Sequence, residues 1–93
     1  MSKMQFILTE RGDYVNAGLC QSIMISHLDD SLIIADLGGI EAAAVRIINC
    51  REAMVASKVL FQLVTALTSN VDVVDAPSVL LRVLGGLGRK VTK

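Results

Sequence analysis

Polar and apolar positions alternate through the first half of the chain and repeat at helical spacing in the second. QFILTE (5–10) alternates and is rich in β-forming residues, and Arg11-Gly12-Asp13 reads as a turn, so a hairpin is expected here. Tyr14-Val15-Asn16 restarts a strand. Ala17-Gly18-Leu19-Cys20 holds a glycine suited to a bend or bulge. QSIMISH (21–27) alternates again, with Ile23 and Ile25 on one face and Ser22 and Ser26 on the other. After the polar turn Leu28-Asp29-Asp30-Ser31, SLIIADL (31–37) is apolar on both faces, as in a strand covered on both sides. Gly38-Gly39 is a hairpin turn signal.

The stretch IEAAAVRIINC divides between strand and helix. Ala42, Ala43 and Ala44 favour a helix by propensity. At about 100° per residue, however, Arg51, Lys58, Gln62, Thr65 and Ser69 fall in one stripe about 60° wide, and extending that helix backward puts Arg46 on its apolar face. A break before residue 51 removes the conflict. Asn49 is placed to cap, and Glu52 stands where a capping-box acid belongs. The expected elements are therefore strands over 5–10, 14–27, 31–37 and 40–48, and a helix over 50–69. The helix is apolar over more than half its circumference, more than one sheet can cover, so a second contact is expected. A second helix follows over 76–87: Asp75 can cap it, Pro77 suits its first turn, and apolar residues recur at 79, 80, 83, 84 and 87 until Gly85 and Gly86 stop it.

These elements predict one α+β domain: an antiparallel four-stranded meander, a main helix packed on one face, and a short C-terminal helix. Composition sharpens the picture. Of 93 residues, 53% are hydrophobic and only 3% aromatic, so the excess is aliphatic. A small domain has little interior, and apolar residues forced outward usually mark an interface. Val55, Val59 and Leu63 on the main helix and Leu80, Leu84 and Leu87 on the second are the candidate contact surface, and a two-fold homodimer is the expected assembly.

A membrane would be the other home for this excess. The longest charge-free stretches, 14–28 and 59–71, fall short of the roughly 20 apolar residues a spanning helix needs. The N-terminus shows no long apolar run of a secretion signal. A cytoplasmic chain is expected, with Cys20 and Cys50 as buried thiols; they lack any metal-ligand spacing.

Net charge is zero but unevenly spread. Residues 1–75 hold all nine acids and five bases, and residues 76–93 hold four bases, Arg82, Arg89, Lys90 and Lys93, and no acid. These four are candidates for an anionic partner. The terminal GGLGRKVTK resembles a phosphate loop only superficially. Arg89 stands where the loop lysine belongs, no glycine occupies position 83, and the glycines end a helix, whose negative pole faces them. The reading is a helix cap and a solvated basic tail over 88–93.

Candidate chemistry elsewhere is sparse. His27, the one histidine, neighbours Asp29 and Asp30, but Ser22, Ser26 and Ser31 sit in no nucleophile elbow. Asp29 and Asp30 read as solvated turn residues. Asp36 lies within an apolar strand, and Arg46 on the next strand is its expected ion-pair partner. Three aromatics, with no basic–aromatic interleaving, argue against base stacking.

FILTERGDYVNAGLCQSIMI, DDSLIIADLGG and REAMVASKVLFQLVTAL together resemble a loose group of small bacterial proteins with a β-meander and one amphipathic helix. The likeness spans residues 5–68. This chain departs from it in its apolar helix and in the added segment 71–93. The resemblance implies the fold and no activity. The sequence as a whole points to a non-enzymatic module that self-associates and binds a protein partner through an aliphatic surface, with no cofactor and no metal. Two alternatives stand beside it: a nucleic-acid accessory protein using the basic C-terminal segment, and a small-ligand binder or enzyme with a pocket between sheet and helix, where His27 or Asp36 would supply the polar group.

Overall fold

The computed structural model describes residues 4–38, 44–69 and 71–88. In chain order the elements are β1 (Phe6–Leu8), β2 (Tyr14–Asn16), a 3-10 turn (Ala17–Leu19), β3 (Ser22–Ile25), β4 (Leu32–Asp36), β5 (Ala44–Asn49), α1 (Ala53–Thr68), β6 (Val73–Asp75) and α2 (Ala76–Gly86). The α+β class is as expected, but the strands form two three-stranded sheets rather than one meander. Their orders are β2-β1-β6 and β3-β4-β5.

The split lies in the stretch expected as one strand over 14–27. The Asn16 side chain accepts the Gly18 N–H at 2.9 Å, and the Cys20 N–H bonds the Ala17 carbonyl at 3.2 Å, so the backbone turns over Ala17–Leu19 instead of continuing a ladder. A short polar side chain that bonds its own backbone two residues on competes directly with strand pairing. The β1–β2 hairpin forms as expected: the Thr9 N–H bonds the Asp13 carbonyl at 2.8 Å, and Gly12 adopts φ +87°, a left-handed conformation that glycine takes at no steric cost.

β6 was not expected. It pairs parallel to β1, with Ile7 opposite Val74, and makes β1 the centre of a mixed sheet. In the other sheet all pairing is antiparallel, and a register shift at Ile33/Ile34 lets both Ile47 and Ile48 reach the interior. The described part of the fourth expected strand begins at Ala44; residues 40–43 lie outside the described residues. The sheets are joined where the Glu10 N–H bonds the Ile47 carbonyl at 2.9 Å.

The expected Asp36–Arg46 ion pair is replaced by another. Arg46 stands opposite Ile34, and its guanidinium meets Glu10, which also accepts the Asn49 N–H at 3.2 Å. Asp36 instead accepts the Gly38 N–H at 2.8 Å, closing the start of the β4–β5 connection. The β4 strand is also less enclosed than its sequence implies. Ile33 and Ala35 are buried, whereas Leu32, Ile34 and Asp36 on the other face are only half-buried.

α1 begins at Ala53, later than expected, because Asn49 caps a different turn. Its side chain accepts the Arg51 N–H at 2.8 Å, and Arg51 adopts φ +68° before the helix starts with Glu52 as N-cap. Helix α1 then packs against β3, β4 and β6. Val55, Ala56, Val59 and Leu63 join Ile7, Ile33, Ala35, Ile47 and Val74 in the core. The Gln5 side chain ties the far end of α1 to β1 by donating to the Leu67 and Val71 carbonyls, both at 2.9 Å.

α2 follows the expected design. Asp75 accepts the Ser78 N–H at 3.1 Å and Pro77 occupies the first turn. The glycine pair does not stop it, however: Gly85 and Gly86 form its last turn, and the left-handed residue after it is Gly88 at φ +73°. α2 lies alongside α1. No helix of the described residues is long and apolar enough to cross a membrane.

Candidate functional site

Burial divides the six candidate interface residues. Val55, Val59 and Leu63 are 0% exposed, enclosed by the chain's own sheets, and offer nothing to a second molecule. Leu80, Leu84 and Leu87 are half-buried against the core. The second contact expected for α1 is therefore supplied in large part by α2.

The apolar surface that remains free lies elsewhere on α1. Phe61 is 68% exposed, and Met54 and Val64 are exposed beside it on the helix's outer side. On α2, Leu81 is exposed. Between the helices runs an open groove of about 730 Å³. Val79, Val83 and Leu87 from α2 and its C-cap give it apolar lining; Phe61, Ser57 and Gln62 from α1 line the opposite side. Lys58 on α1 and Arg82 on α2 both line the groove, and none of its described lining residues is Asp or Glu. Among the described residues neither cation has an acidic partner. A smaller cleft of about 420 Å³ shares Gln62, Val79 and Arg82 with the groove and continues past Thr65 to the edge of β6 at Val73 and Asp75.

Of the four candidate anion contacts, Arg82 alone falls within this surface; Arg89, Lys90 and Lys93 lie outside the described residues. The polar groups considered for catalysis are occupied in building turns. Asp29 accepts both the Ser31 N–H at 3.0 Å and the Ser31 hydroxyl at 2.6 Å, and these bonds hold its carboxyl below the usual carboxylate range. The Ser26 hydroxyl oxygen accepts the Leu28 N–H at 3.1 Å. His27 is exposed in the same turn. Among the described residues no group of three or more His, Cys, Asp or Glu is placed to hold a metal ion. The space between α1 and the sheets, where a ligand pocket was considered, is packed core.

Both cysteines are free thiols, Cys50 buried and Cys20 half-buried. Burial, with the Glu10 carboxylate nearby, pushes the Cys50 thiol up to about 11. Burial raises Cys20 as well. Neither is in the electropositive setting that activates a nucleophile.

Compared with family models, with curated proteins and with solved structures, the chain finds no match in any of the three. The groove itself is then the guide to function. Sequence reasoning missed Phe61 because it counted the ring with the apolar face. The signal was present: Phe61 lies only about 40° around the helix from Thr65, at the rim of the polar stripe rather than opposite it.

Proposed function

We propose that this chain is a non-enzymatic interaction module that binds a protein partner through the face made by α1 and α2. One observation carries the reading: Phe61, one of three aromatics in the chain, stands 68% exposed at the wall of an open groove with aliphatic lining. Leaving a phenyl ring in water forgoes burial that elsewhere stabilises by roughly 1.5–3 kcal/mol. Interfaces are enriched in aromatic residues and arginine, and their energy concentrates at such anchors inside pockets. The groove offers both, with Phe61 on one helix and Arg82 on the other.

The groove's form favours a macromolecular partner over a small ligand. A small-molecule site encloses most of its ligand. A ring standing this far out of the groove is covered only by something that lies over it. The two helices beside it form the kind of trough that receives a third helix.

Site-specific photocrosslinking in the host cell tests the reading. A photoreactive residue at position 61 is expected to yield discrete adducts with one or a few proteins. The same residue at Leu28, which is 99% exposed in the β3–β4 turn, serves as the control. Equal, diffuse labelling at both positions, or none at 61, would remove the α1–α2 face from the account.

A further inference from the structure

Resting on that reading, we infer that the groove's occupant is an acidic amphipathic helix of another protein, not a second copy of this chain. The charges beside the apolar lining decide between them. Lys58 on α1 and Arg82 on α2 both line the groove, both are exposed, and neither has an acidic partner among the described residues. Among the described residues no acid lines the groove; Asp75 lines the adjoining cleft, where its carboxylate is engaged in capping α2.

A two-fold dimer built on this groove would be isologous, setting the same patch against itself. Lys58 and Arg82 would then meet the cationic surface of the other copy, with no carboxylate among the groove's described lining residues to relieve them and Asp75 of the adjoining cleft already engaged as the α2 cap. Like charges brought together across an interface disfavour it. A helix with apolar residues at i, i+3, i+4 and i+7 would cover Phe61, Val79 and Val83, the same device by which amphipathic helices enter hydrophobic grooves. Asp or Glu on its flanks would reach Lys58 on one side and Arg82 on the other. Arg82 can hold a carboxylate by two parallel N–H···O bonds, which fixes orientation as well as sign.

The test is a display library of helical peptides with apolar residues fixed at that spacing and Asp, Glu, Lys and Arg varied at the flanks, selected on the full chain. Wild type is expected to enrich acidic flanks. Lys58→Glu combined with Arg82→Glu is expected to reverse the preference to basic flanks and to weaken the acidic peptides by about tenfold or more. Phe61→Ala is expected to abolish selection by either surface. Added salt should weaken the acidic peptides further, because exposed charges are screened. Unfolding midpoints of both variants close to wild type would show that each is folded.

Enrichment that ignores flank charge but still depends on Phe61 would overturn the acidic partner and leave the docking face standing. Enrichment of nothing would overturn it too, and the photocrosslink at position 61 would report independently on the docking face. A Phe61-dependent dimer by light scattering at two protein concentrations would overturn it in favour of a second copy.

Discussion

The two sides of α1 are built from similar residues and have different fates. On the inner side, Val55, Ala56, Val59 and Leu63 are fully enclosed against β3, β4 and β6. On the outer side, Met54, Phe61 and Val64 are as apolar and remain in water. Side-chain chemistry does not separate them; position around the helix does. Residues 55, 59 and 63 form one row at spacing i, i+4, i+8, and the sheets and α2 close over it. Phe61 lies on the opposite side, in the wall of the open groove, where neither the sheets nor α2 cover it. The inner row makes the fold, and the outer residues are left for a partner.

The largest effect expected from breaking this contrast is at Leu63. Leu63→Ala leaves a cavity under the sheets and should cost about 2–5 kcal/mol by urea unfolding, depending on how far the site collapses. A loss under about 1 kcal/mol would mean that the inner row is loosely packed.

The second effect depends on pH. The unfolded Cys50 thiol ionises near pH 8.5, whereas burial holds the folded one up to about 11. The unfolded state therefore loses its proton first, and the stability this thiol contributes is fully present below the lower value and falls as pH rises toward the higher. Wild type should lose on the order of 2–3 kcal/mol more than Cys50→Ala between these limits. Parallel stability curves for the two proteins would show that water reaches this part of the core.

A third effect sharpens the contrast at the groove. Asp75 caps α2, whose first turns carry Val79 into the groove. Asp75→Ala should cost about 1 kcal/mol and raise amide exchange in residues 76–79. Unchanged exchange would mean that packing alone holds this end of α2.

Much of this arrangement can be read from the sequence where local chemistry decides it. The Arg11-Gly12-Asp13 turn and the Asp75 cap follow from turn residues and capping chemistry, whereas helical spacing shows apolar rows on α1 without showing which one faces inward: Val55, Val59 and Leu63, expected at an interface, lie in the core. Three other features do not follow from local chemistry. The Asn16 side chain diverts the chain into a 3-10 turn, and nothing in the alternation of 14–27 registers that competition. β6 is three residues long and pairs parallel to a strand at the other end of the chain, so its partner is non-local. Glu10 captures Arg46 because the hairpin end of β1 meets β5, a contact between two sheets where one was expected. The groove is missed for the same reason. It is made by α1 and α2 together, and neither sequence segment contains it.

The smallest expected effect tests the central claim most directly. If the outer side of α1 takes no part in folding, urea unfolding of Phe61→Ala should give a stability within about 0.5 kcal/mol of wild type, as for an ordinary surface substitution. A loss of about 2 kcal/mol or more, approaching that of Leu63→Ala, would mean that Phe61 is packed within the chain, and that α1 has no free apolar side to offer a partner.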